Sequence, residues 1–145
     1  MKRLIWLDDI RDPFNDDWLT FIPEEGPFNT IWVKNYDEFT SEIEANGMPD
    51  IISFDHDLAP EHYTPPEYWG DYEKSKKYQE RQIYTEKTGH SCAKWLINYS
   101  LNNHVKLPRY YVHSANPVGA DNIRGVLHHY KTKFEDKRPQ YFKNK

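Results

Sequence analysis

The sequence predicts an α/β domain with a small parallel sheet of about four strands, helices on both faces and an inserted arm. Short runs of apolar and β-branched residues alternate along the chain with segments of helical periodicity. These runs are too continuously hydrophobic to leave a face to solvent, which is typical of strands in a buried parallel sheet. The 145 residues are enough for one domain with its own core, so we predict a single domain over residues 1–145.

Four short strands are predicted from apolar content and from the residues that bound them. They cover residues 4–7, 30–33, 51–54 and 110–113. The segment between the first two strands is rich in proline and aspartate and contains at most a helical turn at about 16–21. Each strand is therefore followed either by a polar loop or by a helical segment.

Three helices are marked by capping residues and by apolar spacing. The first follows Asn35 and stops at 46–47, the second opens at 88–89, and the third begins at about Ala120. Their inward residues are Tyr36, Phe39, Ile43, Cys92, Trp95, Leu96, Tyr99, Ile123, Val126 and Leu127. Because Cys92 lies on such a face, we interpret it as a core residue and not as a nucleophile.

Residues 59–88 break the alternation of strands and helices. They contain three prolines and six aromatic residues among mixed lysines and glutamates, with no clean period apart from a helix predicted at 72–81. We interpret this stretch as an inserted arm or lid, not as a second domain. The tail from Lys131 is charged and has no further apolar strand.

Composition excludes several classes of function. The net charge of −4 gives no global basic footprint for an extended nucleic acid. A local basic patch stays open as an alternative, formed by Lys74, Lys76, Lys77, Arg81 and Lys87. The single cysteine excludes an internal disulfide framework and fits a reducing compartment. No apolar run approaches the roughly 20 residues of a membrane-spanning helix, and the start MKRLIWLDD is not typical of a signal peptide. We therefore expect a cytoplasmic protein without a membrane partner.

Acidic residues follow two of the predicted strands directly. Asp8 and Asp9 come after the first strand, and Asp55 comes after the third. The carboxyl ends of parallel strands share one edge of the sheet, and clustered carboxylates repel each other unless a cation neutralises them. Oxygen ligands favour Mg²⁺ or Mn²⁺, so we predict a metal site formed by these three aspartates. The alternative is that strand-end aspartates only cap turns.

Groups able to transfer a proton occur at the same predicted edge. His56 and Asp57 follow Asp55 directly, and His113 ends the fourth strand. A histidine with its ordinary pKa of about 6.5 can carry protons at neutral pH. We predict catalytic roles for Asp55, His56, Asp57 and His113.

A turn after the fourth strand has the composition of an anion site. Ser114 and Asn116 precede a helix, and Asn122 and Arg124 lie in its first turns, where they can donate to a phosphate. We predict that these four residues bind the substrate phosphate. The alternative is that Ser114 and Asn116 are ordinary turn and cap residues.

The motifs WLDDIRDP, SFDHDL, TGHSCAKWL and HSANPVGADNI, spread over most of residues 3–127, resemble a known family. The acidic pair, the third-strand aspartate and the hydroxyl after strand four resemble response-regulator receiver domains, which have a flavodoxin-like fold. The four motifs together are more similar to the cyclic-phosphate-processing receiver-like domains of phages and bacterial conflict systems. That resemblance implies that Asp8, Asp9 and Asp55 hold the metal and that Ser114 contacts phosphate.

The same resemblance implies an activity on nucleotide cyclic phosphates, in the host cytoplasm if a phage encodes the protein. His56, Asp57, His113 and Asn116 belong to the motifs of the closer family. A signalling receiver has a fifth strand ending in lysine, and no such apolar strand follows Tyr130. This difference favours hydrolysis or phosphate binding over phosphorelay.

Three hypotheses about function follow. The first is a metal-dependent phosphoesterase that hydrolyses a cyclic phosphate or phosphodiester in a nucleotide or cyclic oligonucleotide signal and so counteracts a defence system. The second is a non-catalytic sponge or sensor that binds a phosphorylated nucleotide through the same residues. The third is a degenerate receiver that acts as a protein-interaction domain through the aromatic arm.

Overall fold

The computed structural model describes residues 1–15, 17–59, 62, 65–68, 70–80 and 87–142. The strands are β1 (Lys2–Leu7), β2 (Phe28–Val33), β3 (Ile51–Phe54) and β4 (Arg109–Val112). The α-helices are α1 (Tyr36–Asn46), α2 (Tyr72–Glu80), α3 (Gly89–Asn103) and α4 (Pro117–Tyr130). Among the described residues there are also 3₁₀ helices at Trp18–Phe21 and Pro66–Tyr68 and a π-helix at Lys131–Glu135.

All four strands are parallel and lie in the order β2-β1-β3-β4. The register aligns the strand ends, since Leu7 pairs with both Val33 and Phe54, and Phe54 pairs with Val112. The predicted fold class, a receiver-like α/β domain with a small parallel sheet, is confirmed. The strands that end in the acidic and histidine motifs are immediate neighbours.

The two faces of this sheet are covered in different ways. On one face, the buried side chains of β1 and β3 pack against α1, α3 and α4 in the larger core. On the other, Leu4, Trp6 and Ile51 pack against Ile22 and the half-buried Trp18. Helices were predicted on both faces. Among the described residues, the helix that packs on the second face is the short 3₁₀ helix Trp18–Phe21, together with its flanking chain.

The capping residues account for the observed helix ends. The side chain of Asn35 accepts from the backbone N–H of Glu38, as predicted for α1. Helix α4 begins at Pro117, three residues before the predicted start, because Asn116 accepts from the N–H of Gly119 and proline is well suited to the first helical position.

Other boundaries agree closely with prediction. Strand β4 covers 109–112, where 110–113 was predicted. Helix α2 covers Tyr72–Glu80, and the predicted last residue, Arg81, lies outside the described residues. In the part of the chain that the structure describes, no strand follows β4. Cys92 is fully buried, as predicted, and burial raises the pKa of its thiol.

The described part of the arm lies against α4. The hydroxyl of Tyr72 donates to Asp121 (3.0 Å), and the amide of Gln79 donates to Asn116 Oδ1 (2.9 Å). No helix among the described residues is both long and apolar enough to cross a membrane.

Two glycines allow close packing beneath the carboxyl edge of the sheet. A Cβ at Gly89 would clash with the backbone of Asp55, and the N–H of Gly89 donates to the carbonyl of His56 (2.8 Å). A Cβ at Gly119 would clash with the ring of His56. Both helix N-termini therefore approach the residues after β3 more closely than any larger side chain would allow.

Candidate metal centre and flanking cavities

The carboxyl edge of the sheet brings together Asp8, Asp55 and His113. The strand ladder continues beyond the strands, because the N–H of Asp55 donates to Leu7 and that of His113 donates to Phe54. Asp8 and Asp55 are buried, with 0% and 3% of their surface exposed. One potential ligand atom from each of the three residues lies within 4.8 Å of the others. We call this group the acidic cluster.

Asp8 is held by a dense set of donors. Its Oδ1 accepts from the backbone N–H groups of Ile10 and Arg11, each at 2.9 Å. Its Oδ2 lies 3.0 Å from His113 Nε2 and 3.2 Å from the Arg11 guanidinium. Burial alone would raise the pKa of Asp8, but these hydrogen bonds lower it below its ordinary value. Asp8 therefore provides a fixed negative charge.

The pKa of Asp55 is shifted in the opposite direction, upward. Burial first, and then the negative charges of Asp8 and Asp57, raise its pKa to about 7. The Arg11 guanidinium, 3.9 Å from Asp55 Oδ2, and a hydrogen bond with Ser114 offset this only in part. Near neutral pH the Asp55 carboxyl is therefore divided between its protonated and ionised forms. Two carboxylates and an imidazole are a suitable donor set for a divalent metal.

His113 is oriented by two neighbours. Its ring stacks on Trp6, with centroids 3.8 Å apart and planes within 4°, and its Nδ1 lies 2.7 Å from Ser53 Oγ. Burial lowers the pKa of His113, and the bond to Asp8 only partly offsets this. A hydroxyl can donate or accept, so Ser53 can support Nε2 either as a donor to Asp8 or as a metal ligand with its lone pair free.

Three of these supporting residues were not assigned a role from the sequence. Arg11 lies within the quoted motif WLDDIRDP, three residues after Asp8, and Trp6 precedes the acidic pair by two. Ser53 interrupts the apolar run IISF. A polar residue within a buried strand was the one local signal available, because such a residue needs a partner.

Asp9 lies outside the acidic cluster. It is half-buried and adjoins Asp8, but the group of potential ligands found among the described residues consists of Asp8, Asp55 and His113. The metal role of Asp9 stays a prediction. The histidine at the end of β4, predicted as a proton carrier, takes the third position in the cluster.

His56 is not a member of this cluster and packs against the N-termini of α3 and α4. Its Nδ1 is 2.8 Å from Asp57 Oδ1, which also accepts from the Asn116 amide at 3.1 Å. Only 4% of its surface is exposed. A cavity of about 450 Å³ adjoins it, with walls that include Lys76, Lys87, His90, Ser91 and Asn122. We call this the histidine cavity; Glu80 also lines it, so its charge is mixed.

The four predicted phosphate-binding residues do not share one location. Ser114 is bonded to Asp55, whereas Asn116 is a buried helix cap that holds Asp57. Asn122 lines the histidine cavity. Arg124 is exposed, pairs with Asp121 (3.6 Å) and donates to the carbonyl of Val112 (3.5 Å). Of the four, only Ser114 is bonded to a member of the acidic cluster.

A second cavity, of about 350 Å³, opens on the sheet face that the 3₁₀ helix covers. Its walls include Trp6, Trp18, Phe21, Tyr111, His113 and Ser114. We call it the aromatic slot. It adjoins the acidic cluster directly, because His113 belongs to both.

The fold and this edge together define a receiver-like domain with an acidic, histidine-containing site at the carboxyl ends of its strands. A family model described as the cyclic-phosphate processing receiver domain matches residues 3–129. The chain belongs to that family, which confirms the resemblance stated from its motifs. No curated protein and no solved structure matches the chain.

Proposed function

We propose that this protein is a metal-dependent phosphoesterase that hydrolyses a cyclic phosphate or phosphodiester in a nucleotide or oligonucleotide signal. The observation that carries the proposal is the acidic cluster, in which Asp8, Asp55 and His113 present ligand atoms within 4.8 Å of one another. The family's description supports a cyclic phosphate as the substrate class. Removal of such a signal would counteract a defence system that depends on it.

The metal in this proposal is held by Asp8, Asp55 and His113. A divalent cation in such a site polarises a phosphoryl oxygen and lowers the pKa of bound water. Because one of the three donors is an imidazole, the set favours Mn²⁺ over Mg²⁺. Burial and the neighbouring negative charges raise the pKa of Asp55 to about 7, so a bound cation would displace a proton from this carboxyl near neutral pH.

The protein's own contribution to phosphate binding comes from Arg11 and Ser114. The Arg11 guanidinium adjoins both cluster carboxylates, so it can bind a phosphate oxygen placed beside them. The hydroxyl of Ser114, bonded to Asp55 in this structure, can reorient toward the same phosphate. These two side chains would stabilise negative charge that develops on the phosphoryl group.

With His113 used as a ligand, we assign proton transfer to His56. Its Nδ1 is hydrogen-bonded to Asp57, and the residue lines the histidine cavity. The arrangement of a carboxylate, an imidazole and an adjoining cavity is one that general acid–base catalysis uses. Substitution of His56 by glutamine should reduce turnover while metal binding persists.

The test is hydrolysis of a panel of 2′,3′-cyclic and 3′,5′-cyclic nucleotides and cyclic dinucleotides, with Mn²⁺, Mg²⁺ or a chelator. We expect turnover with at least one substrate, more with Mn²⁺ than with Mg²⁺, and none with the chelator. Asp55→Asn should abolish it, whereas Asp37→Asn, on the exposed side of α1, should not. If no member of the panel is hydrolysed, or if Asp55→Asn is as active as wild type, the proposal is wrong. Tight binding with recovery of intact ligand would instead support the sponge hypothesis.

A further inference from the structure

The aromatic slot has a different chemical character from the rest of the carboxyl edge. Aromatic residues predominate in its lining, and they include Phe21, of which 71% is exposed, and the half-buried Trp18. The centroids of these two rings are 6.1 Å apart, and the Arg11 guanidinium lies 5.3 Å from the ring of Trp18. Large aromatic side chains left exposed beside a cavity commonly mark a binding surface.

The position of the slot relative to the acidic cluster limits what can occupy it. His113 forms part of the wall and also contributes a ligand atom to the cluster. Ser114 lines the slot and is bonded to Asp55. A molecule with its phosphate at the cluster would therefore place the group attached to that phosphate in or beside the slot. The Arg11 guanidinium lies between the two regions, since it contacts both cluster carboxylates as well as Trp18.

The hydroxyl groups that line the slot already have partners. Ser53 is bonded to His113, Ser114 accepts from the N–H of Asn116, and Tyr111 donates to Glu24 Oε2 at 2.8 Å. The slot therefore offers aromatic faces more than free hydrogen-bonding groups. Binding of this kind selects a flat aromatic ring but discriminates little between one base and another, because every base has a π-face.

We propose that the aromatic slot binds the base of a nucleotide whose phosphate lies at the acidic cluster. This inference rests on the proposed function for the position of the phosphate, and it deepens that function by assigning the base of the nucleotide to one particular surface of the protein. It also implies that purine and pyrimidine nucleotides are both accepted. The slot, not the histidine cavity, would then set the contribution of the base to affinity.

The test compares adenosine 5′-monophosphate with ribose 5-phosphate, which lacks the base, by calorimetry in the presence of Mn²⁺. We expect the nucleotide to bind at least roughly tenfold more tightly, as stacking of one base provides. Phe21→Ala should remove most of that advantage and leave the affinity for ribose 5-phosphate unchanged. Because the side chain of Phe21 is largely exposed, its loss should not impair folding.

A matched control is available in the same segment. Phe14 is 65% exposed but is not among the residues that line the slot, so Phe14→Ala should leave both affinities unchanged. Equal affinity for the two probes, no binding of the nucleotide, or equal losses in Phe21→Ala and Phe14→Ala would each overturn the assignment.

The outcome can be separated from that of the proposed function. Adenosine, which has no phosphate, should quench tryptophan fluorescence in wild type without Mn²⁺ and do so less in Phe21→Ala. If this base-dependent binding is found but no phosphodiester is hydrolysed, the slot assignment stands and the phosphoesterase is rejected. If hydrolysis depends on Asp55 but is insensitive to the base and to Phe21, the slot assignment is rejected and the phosphoesterase stands.

Discussion

The carboxyl edge of the sheet has two sides that differ in composition, although consecutive residues supply both. Asp55 joins the acidic cluster beside the aromatic slot, whereas His56 lies against α4 beside the histidine cavity. The first side holds two buried carboxylates and ring faces, and the second holds an imidazole–carboxylate pair among lysines and polar groups. One short motif can therefore supply both a candidate metal ligand and a histidine outside the acidic cluster, because adjacent side chains of a chain leaving a strand point in different directions.

The largest effect on Mn²⁺ affinity is expected from a change in the acidic cluster. Asp55→Asn keeps the shape of the side chain but removes a proposed metal ligand, so Mn²⁺ affinity should fall by more than the roughly 10- to 100-fold that loss of a supporting partner costs. The measurement is the Mn²⁺-dependent rise in thermal midpoint together with calorimetric titration. A variant that binds Mn²⁺ as tightly as wild type would show that the acidic cluster is not the metal site.

A smaller effect is expected on the histidine side from Gly119→Ala. The added Cβ would clash with the His56 ring, so we expect a destabilisation of about 1–3 kcal/mol, typical of overpacking. Gly125 lies in the same helix with nothing within 4 Å of an added Cβ, so Gly125→Ala should stabilise by about 1 kcal/mol. Chemical denaturation of both variants measures the contrast. Equal effects in the two variants would mean that His56 is not packed tightly against α4.

The pH dependence of stability tests the charge of the acidic side. The folded state raises the pKa of Asp55 from 3.8 to about 7, so the protonated form contributes stability that is full below pH 4 and is lost as the pH rises through about 7. Asparagine does not ionise, so the stability advantage of Asp55→Asn over wild type in metal-free buffer should be roughly 2.5 kcal/mol larger at pH 8 than at pH 5.

Urea unfolding at the two pH values measures this difference. Excess Mn²⁺ is the control, because it should stabilise wild type and not Asp55→Asn. With Mn²⁺ at pH 8, wild type should therefore have the larger free energy of unfolding. An advantage of the same size at pH 5 and pH 8 without metal would contradict the raised pKa.

The smallest effect on Mn²⁺ binding is expected from substitution of His56. His56→Gln removes the imidazole on the second side, and the Mn²⁺-dependent rise in thermal midpoint should remain that of wild type. The negative charge of Asp57 contributes to the raised pKa of Asp55. We therefore expect Asp57→Asn to change the Mn²⁺-dependent rise in thermal midpoint modestly, whereas His56→Gln should leave it unchanged. If His56→Gln reduced the Mn²⁺-dependent rise in thermal midpoint as much as Asp55→Asn does, the acidic cluster and His56 would form a single site.

Much of the fold was predictable because its signals are local. The apolar runs of β1 and β3, the Asn35 and Thr88 caps and the apolar faces of the helices depend on residues within a few positions of each other. Less certain signals gave boundary errors, as for α4, where Pro117 begins the helix because Asn116 is its cap. The second sheet face was harder to predict, since the 3₁₀ helix at Trp18–Phe21 is short and lies in a proline-rich segment.

The sequence by itself determined that the chain has parallel strands whose polar ends meet at one edge, and its motifs identified the family. It did so because strand periodicity and the abrupt change from apolar to acidic residues are local features. Only the tertiary structure decided which of those polar residues contact each other. Asp8 and His113 are 105 positions apart, and their contact depends on strand order, register and the stacking of Trp6 beneath the imidazole. The same non-local packing places Arg11 beside two carboxylates and His56 against the N-terminus of α4, and no spacing within the sequence encodes it.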